Sequence, residues 1–193
     1  MGELVEVTAQ PSTDIWRKPP HTDIFNAPTS KQQHGSLSSF KSVRATFSGP
    51  WKEQFDQGGI VLSVSNSNSN SDSTSPKKWV KAGVELFNKV PRLGVVATDS
   101  WSDWSVAPVV DAASQSHFVS IELVKENLDG YGDSLWVYQV VDGVRLPLRE
   151  VTWFFGPESD GATLSVAAYA ARPNNKTEED LVVQFKEFVV EWK

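Results

Sequence analysis

A chain of 193 residues can bury roughly 70% of its unfolded surface, and the absence of cysteine excludes disulfides and thiolate metal sites. A net charge of −6 lacks the basic stripe that a nucleic-acid surface or an anionic membrane requires. No apolar run reaches spanning length, and the start MGELVEVTAQ has neither the basic nor the apolar region of a secretory leader. The expectation is one cytoplasmic domain over residues 1–193, with no nucleic-acid and no membrane partner.

Short alternating runs rich in Val, Thr, Phe and Trp, with no helical stripe, predict an all-β fold. Residues 1–39 read as partly irregular, because Pro11, Pro19, Pro20 and Pro28 interrupt any long element. Within them, 13–17 holds at most one short strand, with Trp16 plugging an end of the core. His21 and His34 are too scattered to form a metal site, and no metal or other cofactor is implied. Residues 40–48 alternate and are turned by Gly49-Pro50. The next strand, 57–64, begins at Gly58 and Gly59, where glycines signal a bulge or a close approach by another group. Residues 65–76 are a polar Ser/Asn stretch that cannot offset its ordering entropy, and a mobile loop is expected there.

Residues 79–87 carry the clearest pattern. Val80, Ala82, Val84 and Leu86 form an aliphatic row for packing on a second sheet. The opposite row, Trp79, Lys81, Gly83, Glu85 and Phe87, mixes aromatics with a cation and an anion, which suits a ligand-binding face. A turn at 88–92 leads to a strand at 93–98, and Trp101, Asp103 and Trp104 are expected in a loop at that sheet's rim. Further strands are expected at 118–125, 135–141, 144–152, 164–170 and 181–192, with Asp142-Gly143 as a type I′ hairpin turn. A single helical turn at 177–181 is the one helix candidate. Nine to twelve short antiparallel strands suit a two-sheet sandwich or jelly roll.

The strings FDQGGIVL (55–62), WVKAGVE (79–85), SDWSVAP (102–108), VAAYAARP (166–173) and VVQFKEF (182–188) occur in an order that resembles one family of small proteins. TDIWRKP at 13–19 resembles its usual opening. It is the fungal "regulation of enolase" family of the concanavalin A-like lectin/glucanase superfamily. The resemblance implies a jelly-roll sandwich of two antiparallel sheets with a concave face. It also implies a polar face at Asp56, Gln57, Lys81, Glu85, Asp103 and Trp104.

Together these readings make Asp56, Gln57, Trp79, Lys81, Glu85, Trp101, Asp103 and Trp104 the candidate ligand-binding residues. The ligand expected in this Trp-lined cleft is a sugar or another small molecule, with indoles stacking and polar groups orienting it. Trp153 and Tyr169 are further ring candidates, while Trp16, Trp136 and Trp192 read as core. Three alternatives stand beside simple binding. Glu85 with Asp56 or Asp103 would make a glycosidase carboxylate pair, although a lysine as near as Lys81 lowers a carboxyl's pKa, which is wrong for a general acid. Glu85 or Asp103 would act as base, with Lys81 as electrostatic stabiliser, in an isomerisation or cyclisation. The family name further raises a protein partner, a glycolytic enzyme under its regulation.

Overall fold

The computed structural model describes residues 4–65, 76–111, 117–157 and 161–193. The stretch expected as a polar loop at 65–76 lies, for 66–75, outside them. The N-terminal segment is more ordered than its prolines suggest. It holds β1 (Val5–Ala9), β2 (Ile15–Lys18), β3 (Thr22–Phe25) and β4 (Thr29–Ser36). The prolines fall between these strands: Pro19 and Pro20 lie in the turn between β2 and β3, and Pro28 precedes β4.

The middle of the chain forms β5 (Phe40–Ser48), β6 (Gln57–Ser65), β7 (Lys78–Phe87), β8 (Val90–Thr98) and β9 (Ser102–Pro108). The remainder forms β10 (Val119–Glu126), β11 (Ser134–Val141), β12 (Val144–Val151), β13 (Thr163–Ala171) and β14 (Leu181–Trp192). No helical turn forms at 177–181. Among the described residues no helix is long and apolar enough to cross a membrane.

Two six-stranded antiparallel sheets make a jelly-roll sandwich, in the orders β1-β14-β5-β10-β11-β12 and β4-β13-β6-β7-β8-β9. Their inner faces supply the main core, where Val80, Ala82 and Val84 of β7 meet Phe47, Ile121, Leu123 and Phe185. Each of these Val, Ile, Leu and Phe side chains contributes about 1.5–3 kcal/mol by leaving water. Tight turns set the registers: Asn88 and Lys89, both at positive φ (51° and 64°), join β7 to β8, and Asp142-Gly143 joins β11 to β12.

The outer face of the β4–β9 sheet positions the site, because it carries a second layer. The β2–β3 hairpin lies across it and closes a smaller core of Ile15, Val61, Trp79, Val96, Ala167 and Tyr169, with Phe25 edge-on to Trp79 at 6.1 Å. Arg17 fastens the hairpin. Its guanidinium donates to the carbonyls of Pro76 (2.6 Å), Lys77 (2.7 Å) and Asp99 (3.3 Å), and its Nε pairs with Asp23 at 3.1 Å. Under the hairpin's edge, Gly59, Gly83 and Gly94 face one another across β6, β7 and β8. A Cβ on Gly83 would fall 2.0 Å from the Gly58 carbonyl oxygen, so the close approach signalled by the glycine pair is with the neighbouring strand's backbone.

Candidate functional site

Beside the hairpin, whose Arg17 backbone N–H donates to Ser102 Oγ at the start of β9 (2.8 Å), a cleft of about 270 Å³ remains, lined by Asp14, Trp16, Phe55, Gln57, Lys81, Glu85, Val96 and Trp104. Cross-strand pairing assembles its floor. Lys81 on β7 sits opposite Val96 on β8, which sits opposite Trp104 on β9; two same-face positions along, past Gly83, Gln57 on β6 faces Glu85 on β7. Period-two alternation puts all five side chains on the same face. Trp16 arrives from the hairpin and Phe55 from the turn before β6, where it holds a positive φ of 68°. Behind Trp104, Phe87 packs edge-on at 5.0 Å and Phe55 at 6.3 Å.

One polar network occupies the inner end. The Lys81 ammonium, buried, donates to Gln57 Oε1 at 2.6 Å and pairs with Asp14 Oδ1 at 3.4 Å. Gln57 Nε2 donates to Asp14 Oδ1 and to the Phe55 carbonyl, both at 3.2 Å, and the Tyr169 hydroxyl reaches Gln57 Oε1 at 3.4 Å. Burial pushes the Tyr169 phenol well above its ordinary value, helped by the charges of Glu85 and Asp14.

Glu85 is left outside this network. Its side chain is 8% exposed, and no group among the described residues completes a hydrogen bond or ion pair to its carboxylate. The Trp104 indole N–H approaches the carboxylate but closes no hydrogen bond of good geometry. Burial pushes the Glu85 pKa up from 4.5 to about 7, opposed by the Lys81 charge, reinforced by Asp14 and lowered slightly by Trp104. Desolvation therefore outweighs the lysine that was expected to hold this carboxyl low. A Cβ on Gly94 would lie 3.1 Å from Glu85 Oε2, so the absent side chain at that position gives the carboxylate its room.

Of the expected site residues, Gln57, Lys81, Glu85 and Trp104 converge on the cleft. The others do not. Asp56 is fully buried and takes Arg172 on both oxygens (2.8 and 2.7 Å) together with the backbone N–H groups of Lys52 and Glu53, a closed structural pair. Trp79 is sealed beneath the hairpin at 0% exposure. Trp101 stands at 56% exposure away from the cleft, just before β9. Asp103 belongs to a strand, not a rim loop; as the neighbour of Trp104 it must point the other way, and it pairs with Arg149 at 2.6 Å. Neither partner proposed for a glycosidase pair thus reaches Glu85.

Sequence reasoning missed Asp14 and Phe55 and gave Trp16 a core role alone; Trp16 does pack against the smaller core, and it also lines the cleft. The signal for Asp14 and Trp16 lay in the 13–19 string itself, which was taken for an opening and not for a wall of the site. Trp136, also read as core, lies outside it, stacked on Tyr138 at 6.0 Å on the outer face of β11, while Trp153 and Trp192 do pack against the core.

Comparison with known proteins agrees with this architecture. The chain is 40% identical over 185 residues to an uncharacterised protein of Emericella nidulans, covering 96% of this chain and 84% of that one. A functionally unknown protein from Saccharomyces cerevisiae superposes with a TM-score of 0.72 at 21% identity, over 98% of this chain and 88% of that one. The alginate lyase Aly36B, solved with alginate trisaccharide, superposes at 0.58 with 6% identity, over 98% and 82%, a likeness of fold alone. The sandwich is thus of the kind found in carbohydrate-active enzymes. With a match that runs over residues 1–192, the chain belongs to the family described as protein of unknown function, DUF1349.

Proposed function

We propose that this protein binds one small organic ligand, a sugar ring or a molecule of similar size, in the cleft between the β2–β3 hairpin and the β4–β9 sheet. The observation that carries the reading is Glu85: a carboxylate nine-tenths buried, facing the cleft, with its hydrogen-bonding capacity unmet by the described residues. Burying an unpaired carboxylate costs free energy, and a ligand that satisfies it recovers that cost. Trp16, Phe55 and Trp104 add ring faces for an apolar surface to stack on. The volume, about 270 Å³, lies just under the range of about 300–1,000 Å³ usual for drug-sized ligands, so one ring or head group fits and a polymer segment does not.

Tryptophan fluorescence read during a screen of monosaccharides and metabolites tests this. A saturable change that vanishes in Trp104→Ala and persists in Trp101→Ala supports the cleft; a change that survives Trp104→Ala moves the site elsewhere. One observation favours a catalytic second reading. A carboxyl held at about 7 is matched to general acid–base work, so Glu85 would move a proton on the bound ligand while Lys81 stabilises developing negative charge. Turnover of a bound ligand that Glu85→Gln abolishes without loss of binding is the expected sign of that role.

A further inference from the structure

Which hydrogen-bonding groups of the cleft are still free constrains the ligand class. The Trp104 N–H, turned towards Glu85, closes no hydrogen bond, but the stronger donors are engaged: Lys81 Nζ with Gln57 and Asp14, and Gln57 Nε2 with Asp14 and the Phe55 carbonyl. The acceptor is not: Glu85 has no ion pair among the described residues, because Lys81 lies against Asp14 instead. A sugar ring offers several hydroxyls that seek donors and acceptors alike, and with the Gln57 amide and most of the Lys81 ammonium already taken, this cleft serves its acceptor side poorly. Ring faces around an unpaired carboxylate are instead what a cation with apolar substituents requires.

We propose, on the reading that this cleft is a ligand site, that its ligand is a compact organic cation. An alkylated ammonium or amine head group sits against the rings of Trp16, Phe55 and Trp104, with the Glu85 carboxylate as its counter-ion. The charge of an entering cation opposes the effect of burial on Glu85 and favours its ionised form, so ionisation of Glu85 and binding reinforce each other. The groups facing that carboxylate are Lys81 on β7, Asp14 ahead of β2, Trp104 on β9 and Tyr169 on β13. Its cross-strand partner on β8, Arg92, lines a different cleft at the end of the sandwich.

Choline, its neutral isostere 3,3-dimethylbutan-1-ol and D-xylose, each titrated against the full chain by calorimetry and tryptophan fluorescence at pH 6 and pH 8, test the assignment. Choline is expected to bind at least tenfold more tightly than the isostere. It should also bind about tenfold more tightly at pH 8 than at pH 6, the ratio for a cation that needs the ionised form of a group titrating near 7. Glu85→Gln should lose both the preference and the pH dependence while its circular dichroism is unchanged. Binding of xylose or the isostere as tight as that of choline, still dependent on Trp104, overturns the cation assignment and leaves the cleft as a site. No Trp104-dependent response to any of the three overturns both.

Discussion

Replacing Glu85 with Gln removes the one cleft group held near neutrality by burial, and the consequence for stability can be worked through. The carboxyl's pKa rises from 4.5 to about 7 on folding. At about 1.4 kcal/mol for each tenfold in proton affinity, that amounts to about 3 kcal/mol. The sign follows from a raised folded-state value. Below 4.5 the carboxyl is neutral in both states and costs nothing. Between 4.5 and about 7 the unfolded chain ionises while the folded one resists, so stability falls as pH rises. Above about 7 the full burden is present. A glutamine of the same shape never ionises and carries none of it. In urea unfolding, Glu85→Gln should match wild type within about 0.5 kcal/mol at pH 4.5 and exceed it by about 3 kcal/mol at pH 8. With a slope of about 2 kcal/mol/M for a chain of this size, the midpoint at pH 8 moves up by about 1.5 M. An offset that is the same at both pH values, or a wild type that is the more stable at pH 8, refutes the account of this carboxyl. A binding site that holds an unpaired charge at the expense of stability is the trade expected of function.

Other expectations separate the scaffold from the cleft. Arg172→Ala leaves Asp56 charged and buried without its partner, and urea unfolding should show a loss of about 3–5 kcal/mol. Because that pair lies outside the cleft, ligand-dependent fluorescence of the folded variant should be retained. Arg17→Ala removes the donors that tie the hairpin to Pro76, Lys77 and Asp99; amide exchange in β2 and β3 should then accelerate about tenfold or more, with β10 and β11 unchanged. Equal acceleration in both pairs would mean that the hairpin is not a separately fastened layer.

Much of the scaffold was legible because its strands largely obey period two: 40–48 and 181–192 coincide with β5 and β14, although β14 is bulged after Phe185, and the aliphatic row of β7 does face the core. The polar row of β7 was also placed on the correct face. What the alternation could not convey is that another piece of chain covers half of that face. The contact of Lys81 with Asp14 spans 67 residues of sequence, and β2 and β3 are only 4 residues each, too short to stand out from the prolines around them. Trp79 therefore looked like a binding surface and proved to be the underside of a second core. Asp103 and Trp104 were read together because a loop permits any direction. As neighbours on an edge strand they cannot share a face, and only Trp104 looks into the cleft. Asp56 showed its polarity in the sequence but not its partner, since Arg172 lies 116 residues away.

The eight tryptophans allow the central claim to be read at once, in an indole N–H correlation spectrum recorded with and without a ligand that the fluorescence screen selects. Shifts concentrated at Trp16 and Trp104, with Trp101, Trp136 and Trp192 unmoved, are the expected result. The largest shift at Trp51, which lines the separate cleft at the end of the sandwich, or at Trp136 on the outer face of β11, would contradict it.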